Sequence, residues 1–283
     1  MSIIKNQRII FIFILMVFVI TGLRPKSSIL QIHWKKLDEG LWYTEIRSPV
    51  KSRVKDKQIS ILKASPNIFS IQILTASDYD SIRRTAPQWI ENFGLTAVIN
   101  AGMYSLQNRY ESVGFMKTDK GYNNPNDKEG FEALACFQPK TNNDPVFKIL
   151  DINESDPDSL SINYIYAFQS LRMIDEFGNP VLWKYKRVQR CSMSVLAIDK
   201  QKNILFIFTR TPMSANEMST FLARLKCGIQ SAIYLEGGPE ASFFVRSNSC
   251  EIGRFGSYVS HTYATDKNDH FRPFPNAIGL RRK

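Results

Sequence analysis

The chain has 283 residues and a mass of 32.5 kDa, and its 43% hydrophobic and 22% charged content is ordinary for a globular protein. The net charge of +11 and a pI near 9.5 call for anionic partners: phosphate esters, anionic polysaccharide or a membrane surface. Nucleic acid is set aside, because the basic residues are scattered and no RNP, zinc-finger or basic-helix pattern is present.

Residues 9–23 are almost wholly apolar, with Lys5 and Arg8 before them and Arg24-Pro25-Lys26 after. That layout predicts a signal-anchor or signal peptide over 1–26 and an extracytoplasmic body, at the periplasm or cell surface. Residues 27–57 read as a basic lead-in, although Trp34, Leu37, Leu41 and Trp42 could begin the fold. Residues 58–283 form the predicted domain. Cys136, Cys191, Cys227 and Cys250 allow up to two disulfides or four buried thiols. None sits in C-x-x-C spacing, so no metal site is expected.

In chain order, 59–62 and 68–74 predict two strands joined in a hairpin through Ala64-Ser65-Pro66-Asn67. Asp78-Tyr79-Asp80 is a solvated turn. Thr85-Ala86-Pro87 opens a short helix over Trp89, Ile90 and Phe93, which Gly94 closes. A buried strand at 96–99 runs into Asn100-Ala101-Gly102-Met103-Tyr104. A turn is expected at 121–125, and a strand at 147–150 inside a polar excursion. Residues 169–174, 181–185, 193–198 and 204–209 predict a meander of hairpins. Ser214-Ala215-Asn216-Glu217 is a capping box, followed by Met218, Phe221, Leu222 and Leu225 at helical spacing, with Gly228 as the stop. After Gly253 the chain reads as irregular, with His261 and His270 in a polar loop. No repeat or linker stands out. The expected class is therefore α+β: one domain with a mixed, largely antiparallel sheet and a few packed helices.

The chemistry concentrates at Tyr234-Leu235-Glu236-Gly237-Gly238-Pro239-Glu240. An apolar strand ends in a carboxylate, and two glycines then let a ligand approach the backbone closely. A lone charge beside an apolar run is costly unless it is used. Arg190, ahead of the 193–198 strand, suits a bidentate grip on phosphate, or a salt bridge to Glu236. Asn100 could hold a sugar hydroxyl or phosphate oxygen, or simply form its turn. A second carboxylate could come from Glu240 or Glu111. There is no G-x-S-x-G nucleophile elbow.

Taken in order, the 100–104 turn, Arg190, the hairpin to Thr209-Arg210, the capped helix and 234–238 resemble the phosphodiester glycosidase family, over roughly 85–245. The resemblance implies a hydrolase cleaving a sugar-1-phosphodiester in a surface glycan or exopolysaccharide, with no cofactor. It implies Glu236, Arg190 and Asn100 as catalytic residues. It implies Gly102, Tyr104, Gly237 and Gly238 as substrate-binding residues, to which the carboxylate chemistry adds Glu240 and Glu111 as candidates. The chain departs from the family pattern with Glu236 where Asp is usual, Ser170-Leu171 for Gly-Pro, and Pro239-Glu240-Ala241-Ser242 for a Ser-rich tail. The alternative function is a non-catalytic binding protein for a phosphate-bearing glycan. Partners in either case are that glycan and, through 9–23, a membrane.

Overall fold

All ten residues of β13 (Ile204–Met213) are buried, because both faces of the strand are covered. Ile204, Phe206 and Phe208 face a central core, while Leu205 and Ile207 face a second apolar layer. The same alternation runs through β12 (Cys191–Asp199) and β14 (Ile229–Gly237), so these strands read as continuous apolar runs. The computed structural model describes residues 32–105, 107–152, 155–184, 186–225, 227–257 and 266–283. The proposed anchor at 9–23 and His261 lie outside them.

The remaining strands are β1 (Lys35–Asp38), β2 (Leu41–Arg47), β3 (Gln58–Ala64), β4 (Phe69–Thr75), β5 (Ala97–Asn100), β6 (Met116–Thr118), β7 (Gly121–Asn124), β8 (Ala133–Pro139), β9 (Phe147–Asp151), β10 (Tyr164–Ser170), β11 (Arg172–Ile174), β15 (Ser242–Arg246), β16 (Glu251–Phe255) and β17 (Asn276–Arg282). They form three sheets, ordered β1-β2-β3-β13-β12-β14-β11, β7-β6-β10-β8-β9 and β16-β15-β5-β17-β4. Every described pair of strands is antiparallel. The inward faces of all three meet in one core that includes Leu62, Ile99, Phe137, Phe168, Phe206, Leu235 and Phe243.

Helices close the outer faces. α1 (Ala86–Phe93) buries Trp89 and Ile90 among Val98, Phe244 and Ala277 of the third sheet. α2 (Pro157–Leu160) is a single turn. α3 (Ala215–Arg224) sets Met218, Phe221 and Leu222 into the layer with Val195, Ile207 and Tyr234. Its capping box is made: Ser214 Oγ accepts from Glu217 N at 3.2 Å, and Glu217 Oε2 accepts from Ser214 N at 2.8 Å. Such a cap contributes about 1 kcal/mol.

Several expectations change. The single mixed sheet is three antiparallel sheets. The folded unit begins at Ile32, so the expected lead-in supplies β1 and β2. β3 and β4 do not form a hairpin: β3 pairs with β2 and β13, and β4 crosses to pair with β17 in another sheet. The stretch expected at 169–174 divides between β10 and β11, in different sheets. Residues 181–184 form no strand, and the turn at 121–124 is strand β7. α3 ends at Leu225 in extended backbone, short of Gly228. The four cysteines are free thiols.

Candidate active site

Two strand ends from different sheets meet at one turn. β14 leaves the first sheet at Gly237, a 3-10 turn spans Gly238–Glu240, and β15 joins the third sheet beside β5. Asn100, the last residue of β5, ties the turn down. Its Nδ2 donates to the Glu240 carbonyl at 3.0 Å, and its Oδ1 accepts from Ser242 N at 2.7 Å. Both ends of a buried amide are thus engaged by backbone. Asn100 therefore positions the turn, and the sugar-holding role expected of it is not what its contacts serve. Asn100→Ala strands the Ser242 N–H, while the Glu240 carbonyl keeps its bond from Ser242 Oγ at 3.0 Å, so the change should cost about 1–3 kcal/mol in urea unfolding.

The glycines of the turn have little space. A Cβ on Gly237 would overlap the Tyr234 hydroxyl and lie 2.8 Å from Cys191 Sγ. Gly238 adopts φ 72°, where a side chain is strained. Behind the turn, Gly256 N donates to the Ala241 carbonyl at 2.8 Å, and Ser257 N donates to Ser192 Oγ at 2.9 Å. Arg210 holds that segment, donating to Phe255 O at 3.0 Å, Asn268 O at 2.6 Å and Asp266 Oδ1 at 2.6 Å.

Glu236 pairs with Ser194 of β12 at a bulge, and Leu235 is the extra residue. The residue keeps a partly exposed surface, yet its carboxyl is deep enough that burial pushes its pKa up to about 8. The Gly237 N–H, 2.8 Å from Oε1, opposes that shift, and the charge of Glu240 adds to it. Glu236 is therefore largely protonated at neutral pH. The fields of Glu240 and Glu236 also reach Tyr104, whose pKa is raised by burial first and then by Glu240.

Tyr104 brings in a cation that the sequence did not single out. Arg83 NH2 donates to the Tyr104 hydroxyl at 3.1 Å and to the Pro273 carbonyl at 2.6 Å, and the guanidinium lies 5.0 Å from the ring centroid. Its Nε is buried without a hydrogen-bond acceptor among the described residues. Arg83 precedes Arg84, and a basic doublet before a helix N-cap gives no sign of this placement. Arg84 is the structural one, paired with Asp80.

Arg190 is placed differently from expectation. Its Nε and NH2 donate to Glu217 Oε2 and Oε1 at 3.0 and 2.7 Å. Its planar fork is spent on the α3 cap, and Arg190 holds the Glu217 carboxyl below its usual range. Glu111 lies in the loop after Tyr104, accepting from Asn108 Nδ2 at 3.1 Å, while the carboxylate acting on Glu236 is Glu240. Gly102, at φ 76°, turns the chain against Phe168.

Comparison with known proteins bears on this arrangement. The sequence profile described as phosphodiester glycosidase matches residues 93–281. The chain belongs to the phosphodiester glycosidase family. As such it is a hydrolase acting on phosphodiester glycosidic bonds. The catalytic domain of zebrafish N-acetylglucosamine-1-phosphodiester alpha-N-acetylglucosaminidase, auto-inhibited by its pro-peptide, superposes with a TM-score of 0.62 at 12% identity. The match covers 89% of this chain and 88% of that one. A hypothetical protein from Synechocystis superposes with a TM-score of 0.58 at 11% identity, over 91% of this chain and 65% of that one. At such identities the likeness is one of fold. Comparison with curated proteins gives no match. Within the family frame, the Leu235-Glu236-Gly237-Gly238 turn stands where this phosphodiester glycosidase gathers Asn100, Tyr104, Glu240 and Arg83.

Proposed function

We propose that this protein hydrolyses a sugar-1-phosphodiester of a surface glycan or exopolysaccharide, outside the cytoplasm and tethered through residues 9–23. The observation that carries the chemistry is a carboxyl desolvated by burial at a strand end, its pKa pushed up to about 8, beside a second carboxylate. Glycosidases use such a pair with divided roles. A phosphodiester is anionic, so an ionised Glu236 would repel it, whereas a neutral Glu236 can donate a hydrogen bond to it. Glu240 is suited to the cationic side of the reaction.

In the proposed step the C1–O bond to phosphate breaks and its electron pair stays on the phosphate oxygen. Water adds at C1 and gives its proton to Glu240. The departing phosphomonoester gains a second charge and takes the Glu236 proton. Both carboxyls then reset through solvent. Arg83 holds the phosphate, replacing the role expected of Arg190.

Release of a phosphomonoester from a synthetic sugar-1-phosphodiester tests the activity. Binding without turnover would favour a glycan-binding protein instead. Arg83→Lys keeps the charge but loses the fork, so KM should rise about tenfold with kcat little changed. An unchanged KM would remove Arg83 from the site. Cell fractionation tests the location, and full-length protein soluble in the cytoplasm would reject it.

A further inference from the structure

Beside the turn lies a cavity of about 410 Å³, lined in part by Trp183, Lys186, Arg187, Cys191, Met193 and Tyr234. That volume falls within the roughly 300–1,000 Å³ of small-molecule sites. It shares a wall with the catalytic turn, since the Tyr234 hydroxyl and Cys191 Sγ lie directly against Gly237. Burial pushes the Cys191 thiol up to about 11, and the charge of Glu236 adds to the shift at both Cys191 and Tyr234. Cys191 is thus a neutral wall within the electrostatic reach of Glu236.

Residues 181–184 and 186–190 have no regular structure, yet Trp183 is fixed there. Its Nε1 donates to the Arg172 carbonyl at 2.6 Å, its backbone N donates to Asn216 Oδ1 at 2.8 Å, and its carbonyl accepts from Asn216 Nδ2 at 3.2 Å. The indole meets Tyr234 edge to face, with centroids 5.6 Å apart. A pinned aromatic suits the face of a sugar ring. Lys186 and Arg187 are exposed, and among the described residues no carboxylate lines the cavity.

We propose that this cavity is the leaving-group subsite, and that it takes an aglycone of about monosaccharide size that carries negative charge of its own. The proposal rests on the hydrolase reading above and deepens it. Trp183 stacks on the ring, held edge to face by Tyr234 behind it, and Lys186 and Arg187 meet the extra anion. The preferred substrate is then a polymer whose sugar-phosphate repeats place the next phosphate beyond the scissile one.

Two measurements on wild type and on the double variant Lys186→Ala/Arg187→Ala test this. The first compares kcat/KM for two sugar-1-phosphodiesters with the same glycosyl group, one with a methyl aglycone and one with a hexose-phosphate aglycone. Wild type should prefer the charged aglycone, and the double variant should lower that preference at least tenfold, since a hydrogen bond to a charged group contributes about 1.5–3 kcal/mol. The second is calorimetric binding of a hexose 6-phosphate against the neutral hexose, where only the phosphate should bind and the double variant should weaken it by a similar factor. Turnover of both diesters with an unchanged preference overturns the subsite and leaves the hydrolase reading standing. No turnover, with charge-dependent binding lost in the double variant, overturns the hydrolase reading and keeps the anionic-sugar site. No turnover and no charge-dependent binding overturns both.

Discussion

Glu236→Gln is expected to lower kcat by about 10²–10⁴-fold with KM near that of wild type, the range for losing a positioned proton donor that acts in the transition state. Wild-type kcat should fall as pH rises through the Glu236 pKa of about 8, because the protonated form is the working one. The residual activity of the variant should lack that limb. Glu236→Asp shortens the arm by one methylene and restores the residue usual in the family. Retained activity there would mean that the pocket still fits the shorter acid.

The same group sets a stability signature. Its folded pKa lies above the unfolded value of 4.5, so its contribution is fully present below pH 4.5 and is lost as pH rises through about 8. Wild type should lose roughly 2–4 kcal/mol relative to Glu236→Gln between pH 5 and pH 9, somewhat less than the bare ~1.36 kcal/mol per pH unit implies, because the residue keeps some solvent contact. Urea unfolding at the two pH values checks this. Parallel curves for the two proteins would show that the carboxyl is not desolvated in solution.

Gly256→Ala should be the most damaging single methyl addition near the site. The new Cβ would overlap the Gly238 carbonyl oxygen and lie 2.9 Å from its carbon, and backbone cannot rotate aside as a side chain can. The turn carrying Glu236 and Glu240 must shift. A loss of about 2–4 kcal/mol is expected, within the range of overpacked sites. kcat should also fall when measured well below the melting temperature. Gly94→Ala is the control: its Cβ meets nothing within 4 Å, so only the left-handed φ of 59° is strained, at about 1 kcal/mol. Equal kcat in the two variants would detach Gly256 from the site.

How much of this was legible in the sequence depends on how local each signal is. α1 and α3 were, because Thr85-Ala86-Pro87 and Ser214-Ala215-Asn216-Glu217 write their own caps. The β12–β13 hairpin was, because its two strands are neighbours in sequence and in space. The β3–β4 hairpin failed for the opposite reason: adjacent strands can feed different sheets, and nothing between Ala64 and Phe69 says so. β17 was missed because Gly279 and two arginines weaken its pattern. The glycine is there because Leu95 fills the space where its Cβ would be. Residues 181–184 look like a strand, but Trp183 faces a cavity instead of a partner strand. At the site, Glu236 and Glu240 were visible because one turn carries both. Arg83 was not, since Pro273 and Tyr104 reach it only in the folded chain.

β17 lies between β4 and β5, and its Ala277 pairs with Asn100, the residue that holds the turn after Glu236. The two are separated by more than half the chain. Contacts at such separations form slowly, after much of the loop-closure entropy has been lost. β5 therefore lacks one of its two neighbours until residues 276–282 have been synthesised. Until then the β17 side of β5 stays unpaired, and the turn that Asn100 holds has no finished sheet behind it. Removing those last residues would not trim a tail. It would withdraw an interior strand, and the turn after Glu236 would lose its footing together with the sheet.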